Sequence, residues 1–172
     1  MHEGWLNDDT WALVQRSVPI TCVDLVPIQE GSMGDRKIGL IRRAYPGTDR
    51  LVWCQIGGRI ERLETVRHAL DRHLTDTLIG ATIALPDDPQ PGYVMQWFPD
   101  SSDEMYGTDP RRHSIALSFA STIQHAEEAT VAGEATAFAW YTPKQILEMR
   151  EHLWPGTLTM LGRLGLLDRI SS

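Results

Sequence analysis

Side chains able to do chemistry concentrate between Gly57 and Gly80. An apolar run, 51–56, meets Gly57-Gly58, an irregular stretch follows, and a long helix-forming segment begins at Glu64. Glycines at a strand–loop–helix junction let backbone amides or carbonyls come close to a ligand. At 100° per residue, Val66, Leu70, Leu74 and Leu78 sweep out one apolar stripe, with Ala69, Arg72, His73 and Asp76 along its flank. His73 and Asp76 stand at i and i+3, so they could share one ion. The plain alternative is a satisfied interior histidine beside a surface carboxylate. Two further readings stay open in the same way. His113 and His125 are spare imidazoles or strand-edge residues, and Asp100, Asp103 and Glu104 are an ion-holding patch or a solvated loop. Cys22 and Cys54 sit in apolar runs far apart, without the CxxC spacing of a zinc site, and read as buried inert thiols.

The elements that must position these residues follow from periodicity and punctuation. A short helix is predicted over 7–17, started by Asp8 and Asp9, carrying Trp11 and Val14, and ended before Pro19. The stretch 18–28 is rich in β-branched residues and apolar on both faces, which predicts a central strand. The glycines of 31–34 supply a turn and 37–43 its hairpin partner. After a loop with Pro46-Gly47, a strand over 51–56 closes at Gly57-Gly58. The clearest helix is 64–78, free of Gly and Pro. Strands are predicted over 93–98, 113–122 and 135–141, separated by proline-rich and acidic loops. Thr142-Pro143 has the cap and first-turn residues of a helix reaching about residue 152. Trp154-Pro155-Gly156-Thr157 breaks the chain before a last apolar helix, 158–167.

The chain has 172 residues, enough for one domain with a sizeable core, and we read residues 1–172 as a single domain. It carries an N-terminal helix at about 7–17 and a C-terminal helical extension at about 143–168. A hydrophobic content of 42% with 23% charged residues is ordinary for a soluble protein. The net charge of −7 makes nucleic acid and anionic membranes poor partners, while an anionic small molecule remains compatible with a local arginine cluster. No apolar run reaches the ~18 residues of a membrane span, so a cytoplasmic location is expected.

The run Gly58-x5-Glu64-x7-Arg72 resembles the front half of the Nudix box, G-x5-E-x7-R-E-U-x-E-E-x-G-U. The resemblance implies an α/β fold: a Nudix-type α/β/α sandwich with a mixed central β-sheet and the catalytic-type helix at about 64–78. It also implies hydrolysis of a nucleoside-diphosphate derivative with a divalent metal, Mg2+ or Mn2+. Magnesium suits such work because it bridges phosphate oxygens and takes carboxylate ligands. Glu64 and Arg72 would be the structural pair that braces the loop against the helix. The back half of the box departs: His73 replaces the first Glu, Asp76 the second and Thr77 the third.

Over about residues 9–145 the chain is similar to the GDP-mannose mannosyl hydrolase branch of that superfamily. The residues that carry the similarity are Val14-Gln15-Arg16-Ser17-Val18-Pro19, Asp24, Gly57-Gly58-Arg59, Glu64-Thr65, Arg72, Gly107-Thr108-Asp109 and Trp140-Tyr141-Thr142. Carried over, it makes Asp24, Arg43 and Arg59 the residues that contact or frame a nucleotide sugar. An arginine fork pairs bidentately with phosphate oxygens, and a carboxylate holds sugar hydroxyls or orients an arginine. Each has a plainer reading as a buried ion-pair partner, a solvated strand end or a loop brace. The branch's magnesium glutamate falls on Thr77 and its general-base histidine on Ala135, beside Glu134.

Three functions are therefore expected in order. The first is a divergent hydrolase with Asp76, His73 and the Gly58 carbonyl on the metal, Arg43 and Arg59 on the phosphates, and Glu134 as base. The second is a binding or sensing protein that keeps the pocket without the chemistry. The third is a homodimeric scaffold, for which Trp5 and Trp11 of the first helix and the apolar last helix offer surface.

Overall fold

A computed structural model describes residues 6–31 and 35–167. Trp5, residues 32–34 of the expected turn and residue 168 at the end of the expected extension lie outside the described residues.

The elements run in the order α1 (Asp8–Ser17), β1 (Ile20–Glu30), β2 (Arg36–Ala44), β3 (Leu51–Cys54), β4 (Ile56–Arg59), α2 (Val66–Thr77), β5 (Leu78–Ile79), β6 (Thr82–Ile83), β7 (Tyr93–Phe98), β8 (Gly107–Thr108), β9 (Ser114–Gln124), β10 (Thr130–Val131), β11 (Ala137–Tyr141), α3 (Pro143–Glu148), a 3-10 turn (Arg150–His152) and α4 (Thr157–Arg163). The main sheet has the path β11-β2-β1-β9-β7-β8, with β3 added to β2, β4 to β1 and β6 to β9. β1 and β9 are parallel from Ile20↔Ser114 to Ile28↔Thr122, whereas β1 is antiparallel to β2 and β4, so the sheet is mixed. Residues Cys22 to Pro27 of β1 are buried in succession, the signature of a strand covered on both faces. Helix α2 buries Ala69, Leu70 and Leu74 against it. This is the α/β/α arrangement expected from the sequence.

Several boundaries shift for identifiable reasons. The 51–56 strand is two strands, because the chain changes partner at Gln55: β3 pairs with β2 and β4 with β1. Gly57 and Gly58 consequently lie inside a strand and do not close one. A Cβ on Gly57 would sit 2.2 Å from the Val23 carbonyl oxygen, and one on Gly58 would sit 2.5 Å from Cε1 of His73. The main helix starts at Val66, not at Glu64, because the Thr65 side chain caps it by accepting from the His68 amide. It stops at Thr77, since Leu78 enters a two-stranded ladder with Val131.

The Thr142 cap is as expected, including a full capping box with Gln145. The helix behind it ends at Glu148, short of residue 152. The segment beyond bends so that the Trp154 amide donates to the Trp53 carbonyl at 2.9 Å, along the edge of β3. Gly156, at φ 103°, packs so closely on Gly107 that a Cβ would lie 2.3 Å from the Gly107 Cα. Gly107 in turn rests on the Trp97 ring. These two bare backbones bring β8, β7 and the start of α4 together behind the cleft described next.

Candidate functional site

A cleft of about 410 Å³ opens between α1, α2, the sheet and the 133–135 turn. Its floor carries Asp24, placed by the buried middle of β1 and 5% exposed. Gln55, at the break between β3 and β4, donates from Nε2 to Asp24 Oδ1 at 3.2 Å, and Trp97 of β7 donates from Nε1 to Oδ2 at 3.2 Å. Gln55 is itself oriented by the Thr157 hydroxyl, which donates to Oε1 at 3.2 Å. Burial pushes the Asp24 carboxyl up to about 7, against the lowering effect of those donors. Cys22 and Cys54 also face the cleft. Burial raises their thiols to about 11 and about 12, so they stand protonated and inert, as expected.

Four arginines line the walls: Arg43, Arg59, Arg111 and Arg112. Arg43 of β2 pairs with Glu134; the Arg43 side chain is 14% exposed and that of Glu134 68%. The Arg43 Nε is buried and without a hydrogen-bond partner. Arg111 forks onto Asp109 at 2.8 and 2.9 Å. The guanidinium carbons of Arg43 and Arg111 lie 5.5 and 5.6 Å from the Trp154 ring centre, and the Trp154 indole is pinned by donating to the Thr108 carbonyl at 2.6 Å. Arg112 likewise has a buried Nε with no hydrogen-bond partner. Arg59, at the end of β4, lies 4.8 Å from the Trp11 ring centre of α1.

The expected Glu64–Arg72 pair is formed. Arg72 donates from Nε and Nη2 to the two Glu64 oxygens, each at 2.7 Å, and from Nη2 to the Arg59 carbonyl at 3.1 Å. Glu64 also accepts from the Glu61 amide at 2.9 Å. The Arg72 hydrogen bond holds the Glu64 carboxyl below its usual range. The pair thus ties the 59–64 loop to the helix that faces the cleft.

His73, Asp76, Thr77 and Gly58 reach the same rim. The His73 ring lies on Gly58 and donates from Nε2 to the Arg59 carbonyl at 3.0 Å, while burial lowers its pKa and keeps it neutral. Asp76 is exposed. Among the described residues no three His, Cys, Asp or Glu side chains converge so as to hold a metal ion. Magnesium demands a near-octahedral set of oxygens. One exposed carboxylate, one engaged imidazole and the neutral Thr77 do not fit it.

Away from the cleft, His113 stacks on Phe98 at 4.5 Å and His125 occupies a turn at φ 60°. Asp103 accepts from the Met105 amide within an exposed loop, and Asp100 and Glu104 are exposed beside it. Sequence reasoning missed Trp11, Gln55, Trp97, Arg111, Arg112 and Trp154 as cleft residues. The adjacent arginines between an acidic loop and a strand were the readable signal for two of them.

The chain matches, over residues 1–162, the family described as a domain of unknown function, DUF4916. It belongs to the DUF4916 family. This DUF4916 protein is also similar to solved structures of the Nudix superfamily. One, from Jonesia denitrificans, is described as a possible asymmetric diadenosine tetraphosphate hydrolase; it is 25% identical, with 90% of this chain and 99% of that one covered and a TM-score of 0.75. A Nudix hydrolase from Nitrosomonas europaea is 14% identical over 88% and 92% of the two chains, TM-score 0.66. The Nudix domain of NrtR from Shewanella oneidensis, solved with ADP ribose, is 13% identical over 92% and 96%, TM-score 0.57. The DUF4916 chain therefore has the Nudix fold.

Proposed function

We propose that this DUF4916 protein binds a nucleoside-diphosphate derivative, of the nucleotide-sugar kind, in the arginine-lined cleft without metal-dependent hydrolysis. The observation that carries this reading is the convergence of Arg43, Arg59, Arg111 and Arg112 on one cleft of about 410 Å³, a volume suited to a small-molecule ligand. Guanidinium forks match phosphate oxygens in geometry and charge. Asp24, held by Gln55 and Trp97, supplies the polar floor on which sugar hydroxyls can be recognised. The NrtR domain solved with ADP ribose supports a ligand of this class on this fold.

The same geometry supports binding over turnover. Glu134, the carboxylate next to the position of the branch's base, is engaged in an ion pair with Arg43. The sequence departs from that branch where its chemistry is done, at Thr77 within the box and at Ala135 outside it, and matches where the box braces the loop, at Glu64 and Arg72. The test is titration calorimetry of ADP ribose, nucleoside diphosphates and nucleotide sugars with chelator present, beside product analysis with magnesium or manganese added. Binding in chelator without product is the expected result; absence of binding refutes the reading.

A hydrolytic reading is favoured by one observation: Asp76 and Glu134 both open onto the cleft. It predicts product that needs magnesium or manganese and disappears in Asp76→Ala.

A further inference from the structure

Helix α1 forms one wall of the cleft yet buries none of its own residues. It is built locally, with Asn7 capping it by accepting from the Thr10 amide at 2.9 Å and with Asp8 and Asp9 in its first turn. Leu13, on the side away from the cleft, is 57% exposed. Trp11 is the large side chain that this helix directs at the site, where its ring meets the Arg59 guanidinium. A second, smaller cavity of about 230 Å³ borders the same two side chains and runs along Ile20, Thr21 and Ile60. Open volume therefore reaches Trp11 and Arg59 from both cavities.

Half-buried Trp11 packs on the edge of the core, and the part of its indole that lines the two cavities is a surface for a planar group. The guanidinium now beside it is planar, π-delocalised and stacks on aromatic faces, as a nucleobase does. It is also the residue that closes the loop held by the Glu64–Arg72 pair, through its carbonyl. Of the neighbouring cations, Arg43 and Arg111 lie against Trp154, and Arg112 lines the same cleft.

Resting on the proposed function, we infer that Trp11 is the nucleobase platform of the cleft. The base stacks on the indole at the α1 end, Arg59 turns from the ring to the first phosphate, and the rest of the ligand runs inward toward Arg43 and Arg111. This gives the ligand a direction, base outward and variable group inward. It also gives recognition by the face of the base, since stacking tolerates every base. Selectivity among bases is accordingly weak, and selectivity at the inner end is the stronger one.

The test compares ADP, GDP and UDP with inorganic pyrophosphate, which has the phosphates and lacks the base, by calorimetry in the presence of chelator. Trp11→Ala is expected to weaken the nucleoside diphosphates roughly ten- to a hundredfold, the range of one base–aromatic stack, and to leave pyrophosphate within about twofold. Trp11→Phe recovers most of the loss, and Leu13→Ala on the opposite side of α1 binds as wild type. Equal weakening of nucleotides and pyrophosphate by Trp11→Ala, or no weakening of either, overturns the platform while leaving the cleft reading in place. Wild-type protein that takes up neither nucleotide nor pyrophosphate overturns both. Thermal melts of each variant identify a folding defect, and Trp11→Phe, which keeps an aromatic ring against the core, separates such a defect from loss of the platform.

Discussion

At the scale of single residues, two of the carboxyl groups that line the cleft, Glu134 and Asp24, have contrasting surroundings. Glu134 is largely solvated and rests on Arg43, a mostly buried cation with an unsatisfied Nε. A ligand phosphate that reaches Arg43 has to displace this counter-ion. Pairs with one exposed partner are worth little, about 0.2–1 kcal/mol. Glu134→Gln is therefore expected to raise affinity for a nucleoside diphosphate by about two- to fivefold. A loss of affinity in the same calorimetric titration would mean that Glu134 holds the ligand instead of its place. Asp24 is the contrary case, a carboxyl that burial lifts to about 7. Its unfolded value is near 4, so the folded state keeps the proton between about pH 4 and 7 while the unfolded state releases it. Its contribution to stability is thus complete below about pH 4 and lost as pH rises to about 7, by up to about 4 kcal/mol. Urea unfolding of wild type and Asp24→Asn should show the wild type falling behind the variant across that window, with a constant gap above it. A pH-independent gap would show that Asp24 keeps its charge when folded.

At the scale of elements, the loop and helix that face the cleft are joined through Arg72. It bonds both oxygens of Glu64 and the carbonyl of Arg59, the same carbonyl that His73 uses. Arg72→Ala strips a half-buried carboxylate of its partner and frees the 59–64 loop. A loss of roughly 1–3 kcal/mol in urea unfolding is expected, with weaker nucleotide binding as Arg59 loses its fixed backbone. Unchanged binding in a destabilised variant would separate the brace from the site. This pair was legible through the resemblance of Gly58-x5-Glu64-x7-Arg72 to the Nudix box. The bounds of β7 and the Thr142 cap were legible because their signals, alternation and capping residues, are local. What was not legible is non-local. The break at Gln55 depends on β3 and β4 having different partners, β2 and β1. Trp154 reaches the cleft only because the segment after α3 runs along the edge of β3. Arg111 and Trp11 arrive from segments far apart in the chain. Neither periodicity nor capping carries such pairings, so the arginine cluster read as two residues became four. The contact that His73 makes is also non-local: the imidazole's partner is the Arg59 carbonyl across the loop, beyond the reach of helical spacing.

At the scale of the whole molecule, the charge distribution sets how the cleft can be filled. The chain carries −7, and its cleft collects four guanidinium groups beside the carboxyls of Asp8, Asp24, Asp76, Asp109 and Glu134. An anionic ligand is repelled by the surface at large and is held in that cleft by direct pairing with the guanidinium groups. Binding to the folded state alone raises stability by RT ln(1 + [L]/Kd), about 2.7 kcal/mol at a hundredfold excess over Kd. For a domain of this size each kcal/mol moves the midpoint by about 2–4 °C, so saturating nucleoside diphosphate should raise Tm by roughly 5–10 °C. Because the arginines and not a metal would hold the phosphates, the rise should persist in chelator and shrink as salt screens the cleft mouth. A rise that vanishes with chelator and returns with magnesium or manganese would mean that Asp76 and His73 rearrange around an ion after all. The binding reading would then give way to the hydrolytic one. A rise that survives chelation and falls in Trp11→Ala would locate the affinity at both ends of the cleft, in its cations and in its indole.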